Sequence, residues 1–205
     1  MTSLVVVSAG LSNPSSTKLL ADRLTAATVE ALEDVEVVHV ELRDLAHQLT
    51  DHLLTGFAAP ELAAAQRAVA EADGIVVVTP VFSASYSGLF KTFFDVLEQG
   101  ALDGTPVLLA ATGGTPRHSL VIEHALRPLF AYLHAIVVPT GVYAATDDFA
   151  GTDLDARVSR AAGELAILMG KVSRVDSAVS KRRTVEDELA APTPFEELLR
   201  RASQG

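Results

Sequence analysis

Two hydrophobic rhythms alternate along this chain. Short, nearly continuous apolar runs occur at Leu4 to Val7, Gly74 to Val78 and Thr105 to Thr112. Runs of this kind suit strands buried on both faces. Val35 to Val40 alternates more and predicts a strand nearer a sheet edge, and Ala135 to Ala144 predicts a fifth strand carrying a proline. Between these runs the period changes to about 3.6. Leu19, Leu20, Leu24, Ala27 and Ala31 mark a helix over Ser15 to Leu32. Further helices are expected over Pro60 to Asp73, Tyr86 to Glu98, Ser119 to His134 and Leu154 to Val172. Pro60 suits a first helical turn, whereas Pro128 predicts a kink or break inside its helix.

Five strands alternating with helices imply right-handed βαβ units and a parallel sheet with helices on both faces. Of the two common doubly wound orders, five strands favour 2-1-3-4-5, the flavodoxin-like α/β three-layer αβα sandwich. In that order the first and third strands are neighbours and the winding reverses between them. Ligands of such sheets bind outside the carboxyl ends of the strands at the reversal. Three loops are placed there: Ser8 to Ser16, Thr79 to Ser85 and Thr112 to Arg117.

Composition narrows the function classes. The 205 residues are 49% hydrophobic and 20% charged, enough for one core without general disorder. A net charge of -10 argues against nucleic-acid binding, which needs clustered cations. Cysteine is absent, which removes disulfides, thiolate metal sites and thiol nucleophiles. No apolar stretch reaches the roughly 18 residues of a membrane span, and the amino-terminal run is too short for a signal peptide, so a cytoplasmic protein without membrane contact is expected. Beyond residue 170 the composition turns charged, with seven Lys and Arg against six Asp and Glu over residues 171–205. The expected division is a domain over residues 1–170 and a helical or partly disordered appendage over residues 171–205, read as a solvated tail or as an arm reaching a neighbouring subunit.

The loops carry the candidate chemistry. The first supplies Ser8, Ser12, Ser15, Ser16 and Thr17, five hydroxyls within ten residues, before a helix whose free N–H groups and dipole favour a phosphate. The plainer reading, that Ser15 or Ser16 only caps the helix, stands beside it. Neither G-x-x-x-x-G-K-[ST] nor G-x-G-x-x-G follows the first strand, so nucleoside triphosphate and standard dinucleotide sites are not expected. The second loop offers Phe82 and Tyr86 among small polar residues, suited to a planar heteroaromatic ligand or to a capped turn. In the third, Gly113 and Gly114 permit close backbone approach, Thr115 adds a hydroxyl, and Arg117 is a cation suited to a substrate phosphate, an intersubunit ion pair or plain solvent exposure. His118, His124 and His134 are not spaced for one helix face, and His47, Asp51 and His52 form only a loose group, so no metal site is expected. "TDDFAGTD", Thr146 to Asp153, lacks the pattern of a calcium loop and reads as a turn and helix cap. No G-x-S-x-G elbow supports a serine hydrolase.

Taken together, "SAGLSNPSSTKLLA" and "TPVFSASYSGLFK" resemble the motifs of the NADPH-dependent FMN reductases, G-S-x-R-x-x-S-x-x-x-x-L-A and T-P-x-Y-N-x-S-x-x-G-x-L-K. Pro80, Ser85, Gly88 and Lys91 match in order. "SAGLSNPSST" and "ATGGTPRHSL" are similar to the group partnered with luciferase-like monooxygenases. The resemblance implies an NAD(P)H:FMN oxidoreductase with NADPH or NADH as hydride donor, supplying reduced flavin to a monooxygenase and forming homodimers or homotetramers. It also implies that Ser8, Ser15, Ser16 and Thr17 hold the FMN phosphate. Pro80, Val81, Phe82 and Ser83 would line the isoalloxazine, and Gly113, Gly114 and Thr115 would face its pyrimidine side. The flavin would carry the hydride chemistry, with no catalytic acid or base on the protein. Two departures stand out: the first loop has no arginine, and Phe82 and Ser83 replace Tyr and Asn. A quinone or azo reductase, a non-catalytic electron carrier and a flavin-free phospho-ligand binder remain alternatives.

Overall fold

The computed structural model describes residues 2–32, 34–171 and 200. The expected appendage from residue 172 onward lies outside the described residues, Arg200 excepted. Strands β1 (Thr2–Ser8), β2 (Val35–Glu41), β3 (Gly74–Phe82) and β5 (Pro106–Gly113) form a parallel sheet in the order β2-β1-β3-β5. Beyond β5 lie β6 (Ile136–Val137) and β7 (Val142–Ala145), both pairing with it. The order 2-1-3-4-5 is thus realised with the last strand in two pieces. A two-residue strand, β4 (Ser85–Tyr86), pairs antiparallel with β3 and brings the sheet to seven strands among the described residues.

Strand periodicity distributes the core over both faces. Leu4, Val6, Val76, Val78, Leu108 and Ala110 pack under α1 (Ser16–Ala31) and α6 (Asp153–Lys171). Their alternates Val5, Val7, Ile75, Val77, Val107 and Leu109 face the other layer. That layer contains α2 (Ala46–Thr55), α3 (Pro60–Glu71), α4 (Gly88–Asp95) and α5 (Arg127–Tyr132). Pro60 does open α3. Helix α2 has no counterpart in the sequence reading; among its residues only Leu49 is buried, so it carries little apolar periodicity to detect. Phe90 lies at the centre of the second layer, with ring centroids 4.8 Å from Phe94, 5.9 Å from Tyr86 and 6.3 Å from Phe130.

Two interruptions have identifiable causes. The irregularity expected at Pro128 takes the form of a change of helix type: a π-helical turn over Ile122–Leu126 gives way to α5 at Arg127, and Pro128 falls in the first turn of α5. A proline ring needs room at the carbonyl four residues back, and a widened turn supplies it. The fifth strand breaks at Pro139, which has no N–H for the ladder. Side chains satisfy the exposed groups. Arg127 donates to the carbonyls of Val138 and Pro139 at 3.2 and 3.1 Å, and Glu164 accepts from the amide and hydroxyl of Thr140, both at 2.7 Å. Glu123 chelates the same guanidinium at 2.7 and 2.9 Å, and this hydrogen bonding holds its carboxyl below the usual range. Among the described residues no helix is long and apolar enough to cross a membrane.

Replacing Phe90 with alanine empties the centre of the ring cluster. Urea unfolding should show a loss of about 3–5 kcal/mol, the usual cost of a buried Phe→Ala change.

Candidate functional site

The carboxyl ends of β1, β3 and β5 stand side by side, and the three predicted loops leave from them. Ser8 closes β1. Its carbonyl accepts from Leu42, and the next amide, Ala9, donates to Val78, both at 2.9 Å. The backbone is therefore satisfied while the side chain is not. Ser8 is 1% exposed, and its Oγ is the buried side-chain polar atom without a hydrogen-bond partner among the described residues. A buried hydroxyl left so costs about 1–3 kcal/mol, a cost that a ligand accepting or donating one hydrogen bond there would remove.

The first loop turns back on its own cap. Ser15 accepts from the Lys18 amide at 3.2 Å and so caps α1, the plainer of the two readings. A Cβ on Gly10 would sit 2.2 Å from the Ser15 hydroxyl, so only glycine permits this closeness. Helix geometry leaves the amides of Ser16 and Thr17 without intrahelical acceptors, and no acidic residue occupies the first turn. Thr17 is buried, and its hydroxyl meets that of Thr112 at 2.8 Å, tying α1 to the end of β5. Ser16 is exposed at the mouth, as is Ser12. Lys18 does not replace the absent arginine. Its ammonium lies 3.0 Å from Glu41 and 3.3 Å from Asp22, and the hydrogen bond to Glu41 above all raises its pKa. The donors left for an anion are neutral.

The second segment is a hairpin rather than a loop. β3 continues through Thr79, Pro80 and Val81 to Phe82, past the expected end at Val78, because Pro80 pairs in register with Thr112 and Val81 with Tyr86. Ser83 and Ala84 then turn the chain with φ of 49° and 65°. Two left-handed residues make the tight turn whose twist matches paired strands, a place usually taken by Asn-Gly. Without glycine each position costs roughly 1–3 kcal/mol and persists because the neighbours dictate it. Here the Ser87 amide donates to Thr79 Oγ1 at 3.1 Å, and Ser87 in turn caps α4 through the Phe90 amide at 3.2 Å. Phe82 stands at the tip, 47% exposed.

The third loop is held from the β7 side. A Cβ on Gly113 would meet the Tyr143 oxygen at 2.2 Å, and the Tyr143 hydroxyl donates to the Thr115 carbonyl at 2.6 Å. Burial, with a contribution from Asp148, pushes this phenol above its ordinary pKa, so it remains a donor. Asp148 accepts from the Ala145 amide and pairs with Arg157, which agrees with the turn-and-cap reading of Thr146 to Asp153. Gly114, Thr115 and Arg117 are exposed.

The structure thus gathers Ser8, Ser15, Ser16 and Thr17 with Pro80 to Ser83 and Gly113 to Thr115 at one edge of the sheet, and places Arg117 just beyond it. Thr112, Gly10 and Tyr143 escaped the sequence reading. Thr112 precedes the Gly-Gly pair and Gly10 lies in the hydroxyl-rich loop, so each had a local signal. Tyr143 had none. The histidines fall in separate places: His134 pairs with Asp103 at 3.0 Å, His52 lies beside Gln66, and His118 and His124 line one pocket with Arg117.

Residues 2–150 match the sequence profile of the family described as NADPH-dependent FMN reductase. A Pseudomonas aeruginosa protein named FMN reductase (NADPH) is 42% identical over 82% of this chain and 92% of its own length. A Pseudomonas fluorescens protein named NADH-dependent FMN reductase SfnF is 41% identical over 82% of this chain and 91% of its own. Among solved structures, an oxidoreductase from Corynebacterium diphtheriae superposes with a TM-score of 0.82 at 48% identity, covering 84% of this chain and 99% of that one. A flavodoxin-type WrbA-like protein from Agrobacterium tumefaciens, at TM-score 0.57 and 14% identity over 83% of this chain and 96% of that one, shares the fold.

The Thr17–Thr112 pair offers a test of how the site is held. Either single change to valine leaves one buried hydroxyl unpaired and should cost about 1–3 kcal/mol in urea unfolding. The double change should cost clearly less than the sum of the two, as expected of directly coupled partners.

Proposed function

The chain belongs to the NADPH-dependent FMN reductase family, and we propose that it transfers a hydride from a reduced nicotinamide cofactor to FMN. The observation that carries this reading is the unpartnered, buried hydroxyl of Ser8 beside the open amino end of α1, at the sheet's winding reversal. That site suits an anion held by neutral donors: the hydroxyls of Ser8 and Ser15 and the amides of Ser16 and Thr17. The Gly10 cradle and the Thr17–Thr112 bond fix those donors before any ligand arrives.

The same residues define what the protein contributes to the chemistry. FMN, when bound, supplies the ring that accepts and releases the hydride. Phe82 on the strained hairpin offers an apolar wall to that ring, with Pro80, Val81 and Ser83 completing the segment. Gly113 and Gly114 let backbone amides approach from the neighbouring carboxyl end of β5, and the Tyr143 hydroxyl fixes the Thr115 carbonyl that follows. The protein's part in this reading is to orient the flavin and to exclude water.

In the cell the reduced flavin would pass to a luciferase-like flavin-dependent monooxygenase in the cytoplasm, a reading supported by the first and third loop sequences. Assembly into a homodimer or homotetramer is supported by exposed Leu53, Leu54, Phe57 and Tyr132. The phenylalanines of α4 do not serve it, since Phe90, Phe93 and Phe94 are buried within the protomer. Light scattering should return a mass of two or four chains.

FMN titration, followed by anaerobic addition of NADPH or NADH, tests the central reading. The bound flavin spectrum should bleach with either donor or both. Ser8→Ala should weaken FMN roughly tenfold or more, as expected for loss of one hydrogen bond to a charged group. Without FMN its stability should be unchanged or slightly raised, because Ser8 Oγ has no partner to lose. Failure of the parent protein to bind FMN would sink the reading.

A further inference from the structure

Beside the flavin site lies a pocket of ≈ 370 Å³, lined by Ala84, Ser85, Arg117, His118, Leu120, Val121, His124 and Ala125. Its position follows from the chain. One wall begins at Ala84, the residue after Ser83 in the β3–β4 hairpin. The other begins at Arg117, two residues after Thr115. Both segments that would touch the flavin ring therefore continue directly into this pocket, while the donors for the FMN phosphate stand at the end of β1, on the other side of β3.

The lining has a definite chemistry. Arg117, His118 and His124 bring one fixed cation and two imidazoles to one concavity of a chain whose net charge is -10. Arg117 makes no ion pair or hydrogen bond with any described residue. The neighbouring carboxylate, Glu123, is already chelated by Arg127 at 2.7 and 2.9 Å and does not neutralise the group. Leu120, which is 61% exposed, supplies an apolar wall with Val121 and Ala125. A guanidinium fork with imidazole N–H donors suits a phosphate, and the apolar wall suits the sugar or base attached to it. By contrast, a depression of ≈ 260 Å³ between α1 and α6, lined by Ala27, Glu30, Ala31 and Ser159, gathers no such donors.

We propose that this pocket binds a phosphate of the nicotinamide dinucleotide, with Arg117 as its principal ligand and His118 and His124 as supporting donors. The proposal rests on the reading of the chain as a nicotinamide-dependent flavin reductase. It bears on a choice that relatedness leaves open, since relatives named for NADPH and for NADH stand at 42% and 41% identity. Two phosphate groups share the required chemistry: the 2′-phosphomonoester found only in NADPH, and the pyrophosphate common to both donors.

Calorimetric titration with 2′-phospho-ADP-ribose and with ADP-ribose tests this directly, since neither probe requires flavin or turnover. The parent protein should bind at least the first. Arg117→Ala should weaken binding roughly tenfold or more, the usual consequence of losing a charged hydrogen-bond partner, and Arg117→Lys should restore part of it. A loss confined to the 2′-phosphorylated probe assigns the pocket to the 2′-phosphate. An equal loss for both probes assigns it to the pyrophosphate. Unchanged binding of both probes in Arg117→Ala, or no binding by the parent protein, overturns the proposal. So does an equal weakening of FMN in Arg117→Ala, which would make the pocket part of the flavin site. If the parent protein binds the probes but never reduces FMN, the reductase reading fails while the phosphate pocket stands.

Discussion

β1 hydrogen-bonds to β2 along one edge and to β3 along the other, and both pairings are parallel. The connection from β1 to β2 must therefore run over one face of the sheet, through α1, and that from β2 to β3 over the other, through α2 and α3. The loops leaving the carboxyl ends of β1 and β3 start side by side and diverge to opposite faces. The gap between them cannot be closed by either connection. Every other feature of the candidate site is arranged around that forced opening.

Its walls are made rigid by contacts from outside the loops. Thr17 reaches across β3 to Thr112, and Tyr143 on β7 holds the third loop by its Thr115 carbonyl. Thr79 and Ser87 brace the β3–β4 hairpin against α4. Against this background of satisfied groups, the free Ser8 hydroxyl becomes informative. A buried donor with no partner is a cost that calls for an explanation, and a ligand at this edge of the sheet is the one proposed above. The cations lie apart from it: Lys18 is held by two carboxylates, and Arg117 opens onto the neighbouring pocket.

Much of this was legible in the sequence, for physical reasons that differ from element to element. Doubly buried strands such as Leu4 to Val7 and Gly74 to Val78 must be continuously apolar, so their composition announces them. Ser15 is a small hydroxyl residue at the head of an apolar-periodic segment, and helix ends need such caps. The expected start of α4 at Tyr86 lies two residues before the observed one at Gly88, because Tyr86 pairs with Val81 in the hairpin. The π-turn before Pro128 was only half legible: a proline inside a helix signals an irregularity but not its form. The hairpin after β3 was hidden, because Ser83 and Ala84 carry none of the usual signature of a left-handed turn.

From the sequence by itself came the parallel αβα architecture, the three loops at its carboxyl edge and the resemblance that names their ligand. These depend on local periodicity, caps and short motifs, which are properties of neighbouring residues. Only the tertiary structure decided that Thr17 meets Thr112 across 95 positions, that Gly113 lies against the Tyr143 hydroxyl, and that Arg117 shares a pocket with Ala84 and His124. Each of those facts depends on strand register and helix placement. No local pattern encodes them, because the energy that fixes them is spread over the whole buried sheet.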